Sequence, residues 1–307
     1  MEKEIISVVK YFSFFAYQPT LEEIHTFLPA KIDKNKLKME LDRLKYTPPQ
    51  YSIGRKISKK KLENWRFRTY IKLLSFFPQI KLVGLSGSIS MMNAKEDDDI
   101  DLFIITAKHR LFTGRLIALV LAQSLGLRRS RDSAIDEKTR YRKFFDGKQK
   151  TAKNLVSSLS PKNKVCLNLF FDESDLKVPK FKQTEFVGHE VLQMKPIINK
   201  DQTYERFLEK NRWVFKLFPN GKSKSQIINL KSQISSKRFK FKILNLFGTW
   251  NLGFRISNKT ESFLKNLQLK LINKHQTTEI ITDSQLWFHP DDFSRKLPFN
   301  LHRQYRK

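Results

Sequence analysis

Apolar positions in the first 60 residues recur with the spacing of short amphipathic helices. The first helix carries one apolar stripe, formed by Ile5, Val8, Val9, Phe12 and Phe15. A capping box from Thr20 to Glu23 begins a second helix, and Asp33 caps a third. We therefore predict a small helical unit at the start of the chain.

The segment over residues 46–56 follows these helices and contains a pair of prolines between two short β-prone stretches. It predicts a two-stranded wing with a proline turn. Three short helices followed by such a ribbon resemble a winged helix-turn-helix, so we interpret residues 1–60 as a winged-helix-like unit, for which DNA binding is one open function. A helical prefix that only packs on the following residues fits the same pattern.

Helical and strand-like patterns alternate through the middle of the chain. They predict helices over residues 62–77 and 111–125, strands over 80–85, 99–105 and 165–171, and a charged loop over 128–153. Such alternation is typical of an α/β (α+β) protein. We divide the chain into residues 1–60, a core over 61–185 and a basic, helical C-terminal region over 186–307.

Composition narrows the class of protein. The chain of 307 residues is 40% hydrophobic, which is enough to bury a core and excludes general disorder. Its one cysteine, Cys166, excludes a disulfide framework and a Cys-based zinc site. The first residues carry charges of both signs, which is not typical of a signal peptide. The longest apolar run, over 111–127, is interrupted by Arg115 and Gln123, so it is not apolar enough to span a bilayer. We therefore expect a cytoplasmic protein without a membrane-spanning segment.

Positive charge dominates the chain: Lys and Arg total 59 against 30 Asp and Glu, a formal net charge of +29. Such an excess favours polyanionic partners, although a genome rich in Lys codons gives a similar composition. Residues 210–260 contain no acid but 12 Lys or Arg, interleaved with Trp213, Phe215, Phe218, Phe239, Phe241, Phe247, Trp250 and Phe254. This region suits RNA or DNA, an anionic membrane surface, or a helical layer that packs on the core with its lysines in water.

Two carboxylates interrupt an apolar strand. Asp99 and Asp101 alternate with the apolar residues of the strand over 99–105, so both acids project from one side of it. Carboxylates about 6–7 Å apart repel each other and resist burial. A bound divalent cation compensates for both effects, and hard oxygen ligands point to magnesium. We predict that Asp97 and Asp98, in the preceding loop, lie in solvent.

Gly87 and Ser88 mark a sharp turn of the backbone shortly after the strand over 80–85. Glycine lets a phosphate approach closely, and the Ser88 hydroxyl with neighbouring N–H groups can hold phosphate oxygens. A phosphate cradle beside a metal-binding acid pair is the minimum equipment for transferring a nucleotidyl group.

The order apolar–Gly87–Ser88, a spacer of ten residues, then Asp99–apolar–Asp101–apolar resembles the signature of the nucleotidyltransferase fold of the DNA polymerase beta superfamily. The resemblance covers residues 62–175 and implies a mixed sheet flanked by helices. It also implies two Mg²⁺ ions at Asp99 and Asp101, and transfer of a nucleoside monophosphate from a nucleoside triphosphate such as ATP to a hydroxyl acceptor. More loosely, the whole chain resembles uncharacterised bacterial nucleotidyltransferase-domain proteins, a resemblance that supplies no substrate.

The family usually carries a third acid on a later strand, between apolar residues. The best counterpart here is Asn168, between Leu167 and Leu169, and an amide brings neither charge nor a base. Asp172 or Glu173, at the end of that strand, would replace it if the register shifts. Asn168 favours an alternative function, a catalytically impaired protein of this fold that binds nucleic acid.

The remaining candidate side chains carry weaker signals. The six histidines are scattered without metal-like spacing, so we predict that each lies at the surface or is partly packed. Cys166 alternates with Asn168 on the third strand, which places it near the site or in the core as a small apolar residue. Lys108, Arg110 and Arg115 either reach a triphosphate or stay in water.

Overall fold

The computed structural model describes residues 1–47, 53–128, 163–223, 258–273 and 279–288. Two predictions fall mostly outside these residues: the charged loop over 128–153 and the acid-free stretch over 210–260. Within the described part of the chain, no helix is both long enough and apolar enough to cross a bilayer.

A six-stranded mixed sheet forms the centre of the molecule, with the strand order β4-β1-β2-β3-β6-β5. The strands are β1 (Ile80–Leu85), β2 (Ile100–Thr106), β3 (Val165–Asp172), β4 (Lys195–Asn199), β5 (Ile280–Ile281) and β6 (Gln285–Trp287). β2 and β3 run parallel, whereas the other neighbouring pairs are antiparallel. The predicted α/β class is confirmed, and the three predicted strands agree with β1, β2 and β3 to within one residue at each end.

Eleven α-helices form in the described residues. They are α1 (Glu2–Phe14), α2 (Leu21–Phe27), α3 (Lys34–Arg43), α4 (Ile53–Glu63), α5 (Trp65–Phe76), α6 (Gly87–Ser90), α7 (Leu111–Ser124), α8 (Glu185–Gln193), α9 (Thr203–Lys210), α10 (Val214–Leu217) and α11 (Asn258–Asn273). Short 3₁₀ turns span Lys180–Lys182 and Pro219–Ser223. The predicted capping box of Thr20 and Glu23 starts α2, and Asp33 caps α3.

The sheet separates two apolar cores. On one face, α5 and α7 pack on Val83, Ile100 and Ile104. On the other face, α1 to α3 and α8 to α10 join a core that includes Phe103 and Phe171. Because side chains alternate along a strand, Asp101 projects on the same face as Phe103. The N-terminal helices therefore help to cover the face of the sheet on which Asp101 lies.

Residues 53–56, predicted as part of a wing, are helical. They begin α4, which buries Ser58 and Lys61 with exposed fractions of 0% and 2%. Packing of one helical face outweighs the local β propensity of this segment, because tertiary contacts supply most of the stability of a short helix. The wing prediction is therefore wrong for residues 53–56, and residues 48–52 lie outside the described chain.

Helix α5 begins later than predicted. The helix predicted over 62–77 starts at Trp65, because the Asn64 side chain accepts hydrogen bonds from the amides of Arg66 and Phe67. Such an N-cap begins a new helix, so α4 and α5 are two helices and not one. The next predicted helix is α7, and Gly126 follows it with a φ of +65°.

His189 lies inside the core, with 1% of its surface exposed. Its ring stacks between those of Tyr11 and Phe27, at centroid distances of 3.8 and 4.1 Å. Burial lowers the pKa of His189 well below its usual value, so the imidazole is neutral and packs as an aromatic ring. The surface prediction is wrong for His189 and also for His25, which is buried with Nε2 bonded to the Ile32 carbonyl.

Candidate functional site

The two halves of the predicted motif meet at one end of the sheet. β1 and β2 are antiparallel neighbours, and Leu85 pairs with Leu102. The Ser86 amide continues this ladder by donating to the Asp101 carbonyl at 3.0 Å. The end of β1, which leads into Gly87, therefore lies beside the start of β2, which carries Asp101.

Gly87 approaches the Asp101 carboxylate directly. Its φ is +58°, in the left-handed region that glycine adopts without strain. A Cβ added to Gly87 would lie 2.5 Å from Asp101 Oδ2, closer than two such atoms can come. This position therefore requires glycine for two reasons, its backbone conformation and its contact with the acid.

The surroundings of Asp101 destabilise the ionised form of its carboxylate. The pKa of Asp101 is raised to about 7, chiefly by burial and also by the negative charges of Asp99 and Glu190. A hydrogen bond from the Cys166 thiol acts in the opposite direction by stabilising the charged form. Ionised Asp101 is thus short of compensating positive charge at neutral pH, which is the condition that a bound cation relieves.

Ser88 is held by the acidic loop that connects the two motif halves. Its hydroxyl donates to Asp98 Oδ2 at 2.8 Å, and the Lys95 amide donates to the same oxygen at 2.9 Å. Asp98 is therefore a structural acid of the loop, and the prediction that it lies in solvent is wrong. The Ser88 hydroxyl has to leave Asp98 before it can hold a phosphate oxygen.

Asn168, the predicted third position, is linked to Asp101 through Cys166. β3 pairs with β2 so that Cys166 lies opposite Asp101. The Asn168 amide donates to Cys166 Sγ, and the Cys166 thiol is bonded to the Asp101 carboxylate. The fold thus brings Cys166 and Asn168 to the acid pair, with Cys166 in direct contact.

The two alternative third acids lie at the wrong end of the sheet. Asp172 pairs with Thr106, five residues along β2 from Asp101, which corresponds to roughly 17 Å. Its carboxylate accepts hydrogen bonds from the Arg110 amide and from Ser174. Glu173 forms an ion pair with Arg206. Both acids stabilise the far ends of these strands, so neither replaces Asn168.

The basic residues considered as triphosphate contacts follow the same far end of β2. Lys108 and Arg110 lie in the turn after Thr106. Arg115, on α7, donates to Gln268 Oε1 of α11 at 2.6 Å, and its guanidinium lies 4.9 Å from the centre of the Phe288 ring. Arg115 therefore joins α7 to the C-terminal elements, and none of the three lies at the Gly87 turn.

Glu190 belongs to the site and has no signature in the sequence. It lies on α8, and its carboxylate accepts a hydrogen bond from the Gly87 amide. Burial raises the pKa of Glu190 to about 7. Only the fold brings this helix to the Gly87 turn.

The donor set of the site suits magnesium that is shared with a substrate. Among the described residues, no three His, Cys, Asp or Glu side chains converge as a ready-made metal cage. Mg²⁺ is commonly held by one or two carboxylates together with substrate phosphates and water. Asp99 and Asp101 provide two carboxylates, and the raised pKa of Asp101 indicates an uncompensated charge. These residues therefore fit the predicted ion.

Comparison with known proteins adds no constraint on family or function. No family model matches this chain, and no similar curated protein or solved structure was found. The functional interpretation therefore depends on the geometry of the site and on the sequence signature.

Proposed function

We propose that this protein is a magnesium-dependent nucleotidyltransferase, which moves a nucleoside monophosphate from a nucleoside triphosphate to a hydroxyl acceptor. The observation that carries the proposal is the contact of the Asp101 carboxylate with the Gly87 turn. A phosphate-binding turn and a metal-binding acid have to be adjacent for this reaction, because the cation contacts both. The fold then belongs to the DNA polymerase beta superfamily, as the signature suggests.

Each residue has a defined task in this proposal. Asp99 and Asp101 hold the cation, and the turn at Gly87 and Ser88 receives the triphosphate. The Gly87 amide already donates to the Glu190 carboxylate, which supports its use as an anion-binding group. Bound Mg²⁺ supplies positive charge to the triphosphate. Asn168 cannot accept a proton from the acceptor, so the protein acts mainly by positioning its two substrates.

The test is incubation with each of the four nucleoside triphosphates, labelled at the α-phosphate, in the presence of Mg²⁺. We expect pyrophosphate release or label transfer by the wild-type protein, and its loss in Asp99→Asn and Asp101→Asn. Glu63→Gln, which neutralises an exposed acid on α4, is the matched control and retains activity. Equal activity in the wild type and both Asp variants would refute the proposal.

A second candidate function is nucleic-acid binding without catalysis. Two observations favour it: Asn168 stands where the family carries an acid, and α4 exposes Arg55, Lys56 and Lys59 next to the site. Exposed cations on one helix suit a phosphate backbone. This function predicts salt-sensitive binding of RNA or DNA that survives Asp99→Asn and Asp101→Asn, with no turnover of any triphosphate.

A further inference from the structure

We propose that Lys61 is a positioning residue for the acid pair, and that α4 acts as a clamp on the loop over residues 93–99. The assignment of Asp99 and Asp101 as cation ligands rests on the proposed function. The clamp itself rests on contacts that α4 makes with the loop between the Gly87 turn and β2. Each contact comes from the same face of α4.

The first two contacts fix the start of the loop. Gly54 packs so closely on Asn93 that an added Cβ would lie 2.8 Å from the Asn93 Cα atom. One turn later, the Ser58 hydroxyl accepts a hydrogen bond from the Ala94 amide at 3.0 Å. Ser58 is fully buried, so this bond satisfies an amide that water cannot reach.

Lys61 forms the third contact and completes the clamp. Its ammonium donates to the carbonyls of Glu96 and Asp98, at 2.8 and 2.7 Å, although only 2% of the residue is exposed. Burial lowers the pKa of Lys61, and the charges of Asp98 and Asp99 act against this shift. A buried ammonium is expensive, so its presence beside these acids calls for a role beyond filling space.

The consequence for the site follows from what the loop carries. Lys61 fixes the backbone of Asp98, and the Asp98 carboxylate holds the Ser88 hydroxyl. Asp99 is the next residue along the chain. One ammonium therefore sets the position of both the phosphate-binding turn and the first acid of the pair, and it adds positive charge beside acids that repel each other.

The helical spacing provides a matched control. Gly54, Ser58 and Lys61 are separated by four and three residues, so they share one face of α4. Lys60 is the neighbour of Lys61 on the same helix but is exposed. If α4 only needed a lysine for solubility or net charge, Lys60→Met would have the same effect as Lys61→Met.

The experiment combines amide hydrogen exchange with Mg²⁺ titration of the full chain. We expect Lys61→Met to accelerate exchange at least tenfold in peptides over residues 93–99, with little change in β1 and β3. Removal of residues that orient metal ligands typically lowers metal affinity about 10–100-fold, and we expect a loss in this range. Lys60→Met should match the wild type in both measurements.

Two results would overturn the clamp: unchanged exchange over residues 93–99 in Lys61→Met, or faster exchange with an unchanged Mg²⁺ affinity. A purely structural lysine would lower the melting temperature without changing that affinity. Ser58→Ala serves as a second variant if Lys61→Met does not fold, with the same two outcomes expected. Absence of Mg²⁺ binding by the wild type would refute the proposed function. In that case the exchange measurement alone would test whether α4 clamps the loop.

Discussion

The Asp101 carboxylate occupies the space in which a side chain on Gly87 would stand, with its Oδ2 atom 2.5 Å from the position of a Cβ. The amide of the same glycine donates to the Glu190 carboxylate. Gly87 thus lies between two acids from distant parts of the chain. The backbone turn, more than any single side chain, brings these charges together.

Gly87→Ala should weaken the binding of Mg²⁺ and nucleotide at the site. A non-glycine residue with positive φ costs roughly 1–2 kcal/mol, and the added Cβ displaces the Asp101 carboxylate. We expect at least a tenfold loss of affinity for Mg²⁺ with a nonhydrolysable nucleoside triphosphate, measured by isothermal titration calorimetry.

Gly126→Ala is the matched control for this variant. Gly126 has a similar φ of +65°, but among the described residues its Cβ would meet only Arg66 Nη1, at 3.6 Å. We expect a comparable loss of stability and an unchanged nucleotide affinity. Equal affinities of Gly87→Ala and Gly126→Ala would contradict the importance of the contact between Gly87 and Asp101.

Asp101→Asn should stabilise the protein in EDTA at pH 8. The pKa of Asp101 rises from its usual value of 3.8 to about 7 in the fold, chiefly through burial, so this group destabilises the fold increasingly between those pH values and fully above pH 7. One pKa unit corresponds to about 1.4 kcal/mol, and loss of the Cys166 hydrogen bond offsets part of the gain. We expect the free energy of unfolding, from urea denaturation, to rise by about 1–2 kcal/mol. The exposed Asp42→Asn should change little, and a less stable Asp101→Asn would count against this account.

Glu190→Gln should bind nucleoside triphosphates more tightly than the wild type at pH 8. Glu190 accepts the hydrogen bond of the Gly87 amide that we assign to phosphate, and its charge opposes that anion. Glutamine keeps an acceptor oxygen and removes the charge. Calorimetry should give a dissociation constant several-fold lower.

The pH dependence of this gain follows from the raised pKa of Glu190, about 7. The wild-type carboxylate is mostly ionised at pH 8 and mostly protonated at pH 6, so the two proteins should differ less at pH 6. Glu185→Gln on the same helix is the control. Weaker binding by Glu190→Gln at pH 8 would mean that Glu190 assists the nucleotide instead of competing with it.

His189→Phe should make stability less sensitive to acid. Burial holds the pKa of His189 well below 6.5 in the folded protein, whereas the unfolded chain takes up a proton near pH 6.5. The free energy of unfolding of the wild type should therefore fall, relative to the variant, by up to about 1.4 kcal/mol per pH unit below 6.5.

The variant has to be compared with the wild type because protonation of neighbouring acids raises the free energy of unfolding as the pH falls, which opposes the effect of His189. The pKa values of Glu185 and Glu190 are raised to about 7, so their protonation favours the folded state as the pH falls. These acids are present in both proteins, and their contribution cancels in the difference. A difference that is independent of pH would show that His189 is protonated in the fold. His109→Asn, at an exposed site, is the control.

The sequence predicted the strands around the site because their signals are local. β1, β2 and β3 are apolar runs ended by turn residues, and the two acids interrupt the pattern of β2 visibly. The pairing of β1 with β2 then brings Gly87 to Asp101. Periodicity located the strands and the acid pair, whereas the pairing that joins the two motif halves is seen in the structure.

The other members of the site come from tertiary contacts that leave no local trace. Glu190 reaches Gly87 from α8, and Lys61 reaches the acidic loop from α4, whose first residues were predicted as part of a wing. His189 escaped notice for a similar reason, since a neutral imidazole packs as an aromatic ring only where Tyr11 and Phe27 enclose it. In each case burial decides the role of the residue.

The most direct test of a cation held between the acid pair and a triphosphate is electron paramagnetic resonance with Mn²⁺ in place of Mg²⁺. The signal of free Mn²⁺ should fall on addition of the wild-type protein. With a nonhydrolysable nucleoside triphosphate also present, the protein should bind Mn²⁺ at least tenfold more tightly than the nucleotide alone does. Asp99→Asn and Asp101→Asn should lose the tightening. Identical titrations for the wild type and both variants would contradict the account.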